Sequence, residues 1–211
     1  MKYLYANGCS FTWGGGFEET FIGEPVTDIF DSIDSGLRLG IGNKSGWLES
    51  SQPSSKKFEN WRCDNTWPKH TASELDLKII KDDSLGGSSN ARILRTTIDS
   101  FKGFIKSGIE HDILALIQLT DSTRFDLYSS YSQERILGKV DVWDWGPNKN
   151  PKEKDALKKF FECFVDLESC DEHLIEQIIL LQSFFKLYDI KYKFIWGWSY
   201  PQNTDMFDLV D

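Results

Sequence analysis

The chain has 211 residues, of which 40% are hydrophobic and 27% are charged, and its formal net charge is −9. This composition is typical of one folded domain and excludes a disordered chain. The negative charge argues against a nucleic-acid partner, because such proteins bind phosphates through clustered Lys and Arg.

Cysteines and histidines are few and scattered. The four cysteines lie far apart without a Cys-x-x-Cys motif, and there are only three histidines. This spacing indicates neither a metal site nor a disulfide framework. No apolar run reaches the length of a membrane helix, and the apolar start is too short for a secretory signal. We therefore expect a soluble protein with no membrane partner.

The first predicted strand ends at a serine. Apolar Leu4 and Tyr5 lead into Gly8-Cys9-Ser10, which is the pattern of a buried strand that ends in a tight turn. Ser10 would then lie just beyond the carboxyl end of a strand, where open α/β sheets bind ligands. The alternative is that Ser10 only caps the following segment. We predict that the side chain of Cys9 points into the core.

A long polar insertion, about residues 17–60, separates this strand from the first predicted helix. Insertions of this length are usually functional or disordered. Thr66 is the predicted cap of a helix that runs to Leu77, with Pro68 in its first turn. His70 lies on this helix, and we interpret it as a packing or surface residue rather than a base.

A second strand, Leu77–Ile80, leads into a glycine-rich turn that opens another helix. This helix is capped by Ser88 or Ser89 and continues to about Ile105. Backbone N–H groups at such a turn suit an anion or a developing oxyanion. The turn alone is a weak signal, because many helices begin in this way. The predicted buried face of the helix is formed by Ile93, Thr97, Phe101 and Ile105.

The continuously apolar segment Asp112–Thr120 is typical of a central parallel strand. A second insertion follows, about residues 125–151. The remaining predicted elements are two helices, Lys152–Leu167 and Asp171–Tyr188, and a strand, Lys191–Trp198.

Strands and helices alternate, which predicts an α/β fold with a mostly parallel sheet between helical layers. Right-handed crossovers would bring the turns after Tyr5, Ile80 and Leu119 to one edge. A serine, a loop of amide donors and a polar segment that ends in Arg124 would meet there. These are the parts of an acyl-transfer site.

Three segments resemble the sequence blocks of the SGNH (GDSL-like) hydrolases. Gly8-Cys9-Ser10-Phe11-Thr12 resembles the first block, whose serine is the nucleophile. Leu85-Gly86-Gly87-Ser88-Ser89-Asn90, followed by Arg92-Ile93, resembles the second block, which supplies an oxyanion N–H. Gln118-Leu119-Thr120 with Arg124 resembles the third block in a divergent branch of phage and bacterial proteins.

The resemblance implies a single three-layer α/β/α domain over residues 1–211, with an SGNH/flavodoxin-like sheet. Ser10 would be the nucleophile, and the amides of Ser10 and Gly87, with Asn90, would form the oxyanion hole. Thr120 and Arg124 would contact the substrate, and no cofactor or metal is implied. The expected substrate is a small-molecule or glycan ester, in particular an acylated carbohydrate.

The chain departs from this family at the last block, an Asp-x-x-His segment, because no histidine follows His173. Loss of the base in a serine triad costs on the order of a million-fold in turnover. We expect the domain to be incomplete at its C-terminus, with the histidine beyond Asp211. The alternatives are that a partner supplies the base or that the fold serves binding alone.

Two other functions stay open at this point. The first is an inactive binding or structural protein with the same fold, cytoplasmic or virion-associated, that contacts an assembly partner through its Trp-rich insertions. The second is a phosphate-binding flavodoxin-like module, based on Gly14–Gly16 and Gly86-Gly87. This phosphate-binding function is the least supported of the three, because neither glycine-rich loop contains the lysine and the serine or threonine of a P-loop.

Overall fold

The computed structural model describes residues 1–9, 12, 64–85, 88–129, 134–139 and 151–197. In these ranges, a parallel sheet contains strands β1 (Tyr3–Asn7), β2 (Lys78–Asp82), β3 (Ile113–Leu119) and β6 (Lys191–Trp196). Their spatial order is β2-β1-β3-β6. The predicted α/β fold with a parallel sheet is therefore confirmed.

The described helices are α1 (Trp67–Glu74), α2 (Asn90–Lys106), α3 (Pro151–Phe164) and α4 (Leu167–Leu187). A short 3₁₀ helix, Glu110–Asp112, precedes β3. These boundaries lie within a few residues of the predicted ones, except that α4 begins four residues before the predicted Asp171. Its N-cap is Asp166, whose side chain accepts a hydrogen bond from the backbone N–H of Ser169.

The strand register brings the carboxyl ends of the strands to one edge. Tyr3 in β1 lies opposite Lys78 in β2 and Ile113 in β3. Leu119, at the end of β3, lies opposite Trp196. Because all four strands are parallel, the loops that follow β1, β2 and β3 leave the sheet on the same side.

Alternate residues of the strands belong to two separate buried clusters, because successive side chains of a strand point to opposite faces of the sheet. Tyr5 and Ile117 belong to a buried cluster with residues of α2 and α4. Leu4 and Leu116 belong to a second cluster with Ala72 of α1. On the first side, the predicted face of α2 is buried at Ile93, Thr97 and Phe101, whereas its fourth residue, Ile105, is partly buried. The buried residues of α4 that belong to this cluster are Leu174, Ile175, Ile178, Leu181 and Phe185.

Helix α2 is closed at both ends by local hydrogen bonds. The predicted cap Ser89 accepts a bond from the backbone N–H of Arg92. At the other end, the N–H of Gly108 bonds to the carbonyl of Ile105, and the N–H of Ile109 bonds to that of Phe104. This Schellman motif requires the left-handed backbone of Gly108, whose φ is 66°.

An antiparallel hairpin, β4 (Arg124–Ser129) and β5 (Glu134–Lys139), occupies part of the predicted second insertion. These two strands were not predicted from the sequence. Phe125 of β4 packs against Phe161 of α3, with ring centroids 4.5 Å apart. This contact is distant in sequence, so the local pattern did not indicate it. The first insertion, about residues 17–60, lies outside the described residues.

Candidate functional site

The loops that follow β1 and β2 are joined by backbone hydrogen bonds. The N–H of Asp83 donates to the carbonyl of Ala6 at 3.0 Å, and the N–H of Leu85 donates to that of Gly8 at 3.2 Å. The pairing of the two strands therefore continues past their ends. Ser10, the predicted nucleophile, follows Gly8 by two residues, and Gly87, the predicted oxyanion donor, follows Leu85 by two residues. Both lie outside the described residues.

Asn90 and Thr120, two of the predicted site residues, are in direct contact. The side-chain amide of Asn90 donates to the carbonyl of Thr120 at 2.9 Å, and its oxygen accepts from the N–H of Thr120 at 2.9 Å. Both residues are buried. The first residue of α2 is therefore bonded to the residue that follows β3. This contact joins the loop between β2 and α2 to the loop after β3.

The hydroxyl of Thr120 is buried and has no hydrogen-bond partner among the described residues. A buried hydroxyl without a partner carries a desolvation cost of about 1–3 kcal/mol. Within the described part of the chain, the fold supplies no such partner for Thr120. Arg124, the remaining predicted site residue, begins β4, where its backbone N–H donates to the carbonyl of Asp121 at 3.2 Å.

Around Gly8 the chain is tightly packed against β3. A Cβ atom at Gly8 would lie 2.1 Å from Oγ1 of Thr12 and 2.9 Å from Cβ of Gln118. Gly8 is therefore required by this close approach of Thr12 and β3. The side chain of Cys9 is fully buried, as predicted.

A buried polar network lies beneath the edge, between β1 and α2. The side-chain nitrogen of Asn7 is 2.8 Å from Oγ1 of Thr96, 2.9 Å from Oγ1 of Thr97 and 3.1 Å from the hydroxyl of Tyr5. The side-chain oxygen of Asn7 accepts from the N–H of Gly8 at 2.8 Å. Asn7 therefore connects α2 to the start of the loop that follows β1 and contains Ser10.

Asp83 completes this network from the β2 side. Its carboxylate accepts from the hydroxyl of Tyr5 at 3.0 Å and from that of Ser100, and Lys81 lies 3.0 Å away. Burial, with the charge of Asp83, raises the pKa of Tyr5 far above its usual value. Tyr5 is therefore a neutral donor at any physiological pH.

Arg92 braces the loop between β2 and α2. Its guanidinium donates to the carbonyl of Asp83 at 3.0 Å and to the hydroxyl of Ser88 at 3.0 Å. Burial lowers the pKa of Arg92, and the nearby charge of Asp83 opposes that effect. These two contacts lie on either side of Gly87 in the chain.

Sequence reasoning gave no role to Asn7 or Asp83, and it named Gln118 only as the first residue of the third block. Asn7 could have been identified from the sequence, because it is a polar residue at the end of an otherwise apolar strand. Gln118 gave the same signal in the apolar strand β3, whereas Asp83 carried no such signal, since its partners come from distant segments.

The three histidines are exposed and lie on different elements. His111 contacts Glu110 and Asp189, next to the amino ends of β3 and β6, which is the edge opposite the candidate site. His173, on α4, pairs with Glu176 at 3.0 Å. His70 is on α1, as predicted.

Among the described residues, no helix has the length and apolar character needed to cross a membrane. In the same ranges, no three His, Cys, Asp or Glu side chains are grouped as metal ligands would be.

Comparisons with known proteins give a family but not an activity. No curated protein and no solved structure matches the chain. The model of the "Family of unknown function (DUF6071)" matches residues 49–209, and the chain belongs to this family.

Proposed function

We propose that the protein is a serine hydrolase of the SGNH type, with a three-layer α/β/α domain and Ser10 as the nucleophile. The observation that carries this proposal is the hydrogen bond between Leu85 and Gly8, 3.2 Å long. It joins the loop that leads to Ser10 with the loop that leads to Gly87. A nucleophile and an oxyanion donor must lie within reach of one carbonyl group, and this pairing is what such a site needs.

The chemistry we propose is attack of the Ser10 hydroxyl on an ester carbonyl. The amides of Ser10 and Gly87 would hold the negative charge that develops on the carbonyl oxygen. The bonds of Asn90 to Thr120 support a bracing role for Asn90 in the oxyanion region. The hydroxyl of Thr120, which has no partner among the described residues, and Arg124 would contact the substrate. As substrate class we propose acyl esters of carbohydrates.

A serine nucleophile needs a neighbouring general base. His111 and His173 have contacts at the opposite edge and on α4 respectively. We therefore assign neither of them as the base. This observation favours the alternative, a binding or structural protein of the same fold. Glycan or partner binding that is unchanged in Ser10→Ala, together with no esterase activity, would support the alternative.

A fluorophosphonate probe and p-nitrophenyl acetate test the hydrolase proposal. In the natural full-length protein, we expect the probe to label Ser10, and both labelling and ester hydrolysis to disappear in Ser10→Ala. Ser73→Ala is the matched control, because it changes an exposed serine of α1. Absence of labelling, or labelling of another residue, would refute the assignment of Ser10.

A further inference from the structure

Gln118 is a buried carboxamide at the end of β3, with 6% of its surface exposed. Its side-chain oxygen accepts a hydrogen bond from the hydroxyl of Thr12 at 2.5 Å. The thiol of Cys9 lies 4.0 Å from the same oxygen, within the range of a weak S–H donor. A polar side chain on a central strand is costly to bury unless it is bonded, and these two donors satisfy its oxygen.

The two donors stand on either side of Ser10 in the chain. Cys9 precedes Ser10 directly, and Thr12 follows it by two residues. A single oxygen on β3 therefore fastens the loop before and after the proposed nucleophile. Since β3 is the central strand with the most buried residues, this attachment point is rigid.

Two glycines leave the room that the Gln118 side chain occupies. A Cβ at Gly8 would lie 2.9 Å from Cβ of Gln118, and a Cβ at Gly197 would lie 2.8 Å from its side-chain nitrogen. Real Cβ contacts of this length essentially do not occur. The loop after β1 and the end of β6 thus enclose the carboxamide from both sides.

We propose that Gln118 is a positioning residue that holds the loop carrying Ser10 in place, through the side chains of Cys9 and Thr12. The catalytic meaning of this role rests on the proposed hydrolase function, whereas the attachment of the loop does not. Misplacement of a reacting group by about 1 Å can cost on the order of 100-fold in rate. Loss of the attachment should therefore lower the reactivity of Ser10.

Gln118→Leu tests the proposal, because it removes the acceptor but keeps a buried side chain of similar size. The matched control is Gln182→Leu on α4. Gln182 is also buried, at 3% exposure, and its side-chain nitrogen has no partner among the described residues. Two quantities are measured on the full chain: alkylation of Cys9 by iodoacetamide, read by peptide mass spectrometry, and labelling of Ser10 by a fluorophosphonate.

In Gln118→Leu we expect alkylation of Cys9 to rise about tenfold or more, which is the factor that one lost buried hydrogen bond corresponds to. We expect labelling of Ser10 to fall by at least the same factor. Gln182→Leu should leave both rates at the wild-type level.

A second pair of variants tests the same bond from the loop side, in case Gln118→Leu does not fold. Thr12→Val removes the donor hydroxyl and should act like Gln118→Leu, whereas Thr12→Ser keeps the hydroxyl and should behave like the wild type. Wild-type protection of Cys9 in both Gln118→Leu and Thr12→Val would overturn the proposed attachment. Exposed Cys9 with unchanged labelling of Ser10 would overturn the positioning role. If the wild type takes no probe at Ser10, the hydrolase proposal fails, and protection of Cys9 alone decides whether Gln118 holds the loop.

Discussion

Gly8→Ala should destabilise the protein strongly, although it adds a single methyl group. The new Cβ would lie 2.1 Å from Oγ1 of Thr12 and 2.9 Å from both Cβ of Thr12 and Cβ of Gln118. Rotation of the threonine side chain cannot relieve the contact, because its Cβ is also too close. The strand or the loop must therefore move.

The size of the effect follows from two contributions. An added methyl group in a well-packed interior costs about 1–3 kcal/mol. Separation of Thr12 from Gln118 loses a buried hydrogen bond, worth about 1 kcal/mol. Together, the free energy of unfolding should fall by about 2–4 kcal/mol, a large part of the roughly 5–15 kcal/mol that folded domains possess.

Gly103→Ala is the matched control, because it makes the same chemical change at a site with free space. Apart from its chain neighbours and the adjacent helix backbone, no atom of the described residues lies within 4 Å of a Cβ at Gly103, which is an exposed position inside α2. Alanine favours a helix interior over glycine by about 0.5–1 kcal/mol, so this variant should be more stable than the wild type.

The assay is urea unfolding followed by far-UV circular dichroism, with midpoints compared at equal slope. The two variants should move the midpoint in opposite directions. A Gly8→Ala protein as stable as the wild type would refute the reasoning, since it would mean that Thr12 and β3 are not packed against Gly8. A destabilised Gly103→Ala would show that the general effect of alanine, and not the site, decides the sign.

Two further predictions concern charged groups outside the candidate site. Hydrogen bonds from the backbone N–H and hydroxyl of Ser169 lower the pKa of Asp166, the cap of α4, below its usual value. The contribution to the free energy of unfolding is present above the pKa that Asp166 has in the unfolded chain, and it is lost as the pH falls through the lower pKa of the folded state. Asp166→Asn should therefore make stability less dependent on pH on the acid side. Urea midpoints measured from about pH 3 to 7 check this. Arg95 pairs with the carboxylate of Asp126 at 2.6 Å, and only 1% of that carboxylate side chain is exposed. Arg95→Ala should therefore cost about 1–3 kcal/mol and accelerate hydrogen exchange in β4, whereas unchanged exchange there would contradict a role of this pair in holding the hairpin.

Most of the sheet and its helices could be predicted from local patterns. The continuous apolar run of β3 and the three-to-four spacing of Ile178 and Leu181 in α4 each depend on neighbours in the chain. The hairpin could not be predicted in this way. Phe125 and Phe161 bury each other across 36 positions of sequence, and no local pattern records such a pairing.

The candidate site was predictable in part. The meeting of the first two loops at one edge followed from alternation of strands and helices with right-handed crossovers, and the bond between Leu85 and Gly8 confirms it. The contact between Asn90 and Thr120 was not predicted, although both residues were singled out for other reasons. Their partnership depends on how α2 begins over the end of β3.

The sequence by itself determined the strands of the parallel sheet and the helices between them, though not the hairpin, and it determined that the loops share an edge, because hydrophobic periodicity and chain connectivity are local properties. Only the tertiary structure decided which polar groups are satisfied there: Gln118 by Thr12, Asn90 by Thr120, and Asp83 by Tyr5. A buried polar group is stable only beside a complementary partner, and that partner comes from wherever packing places a distant segment.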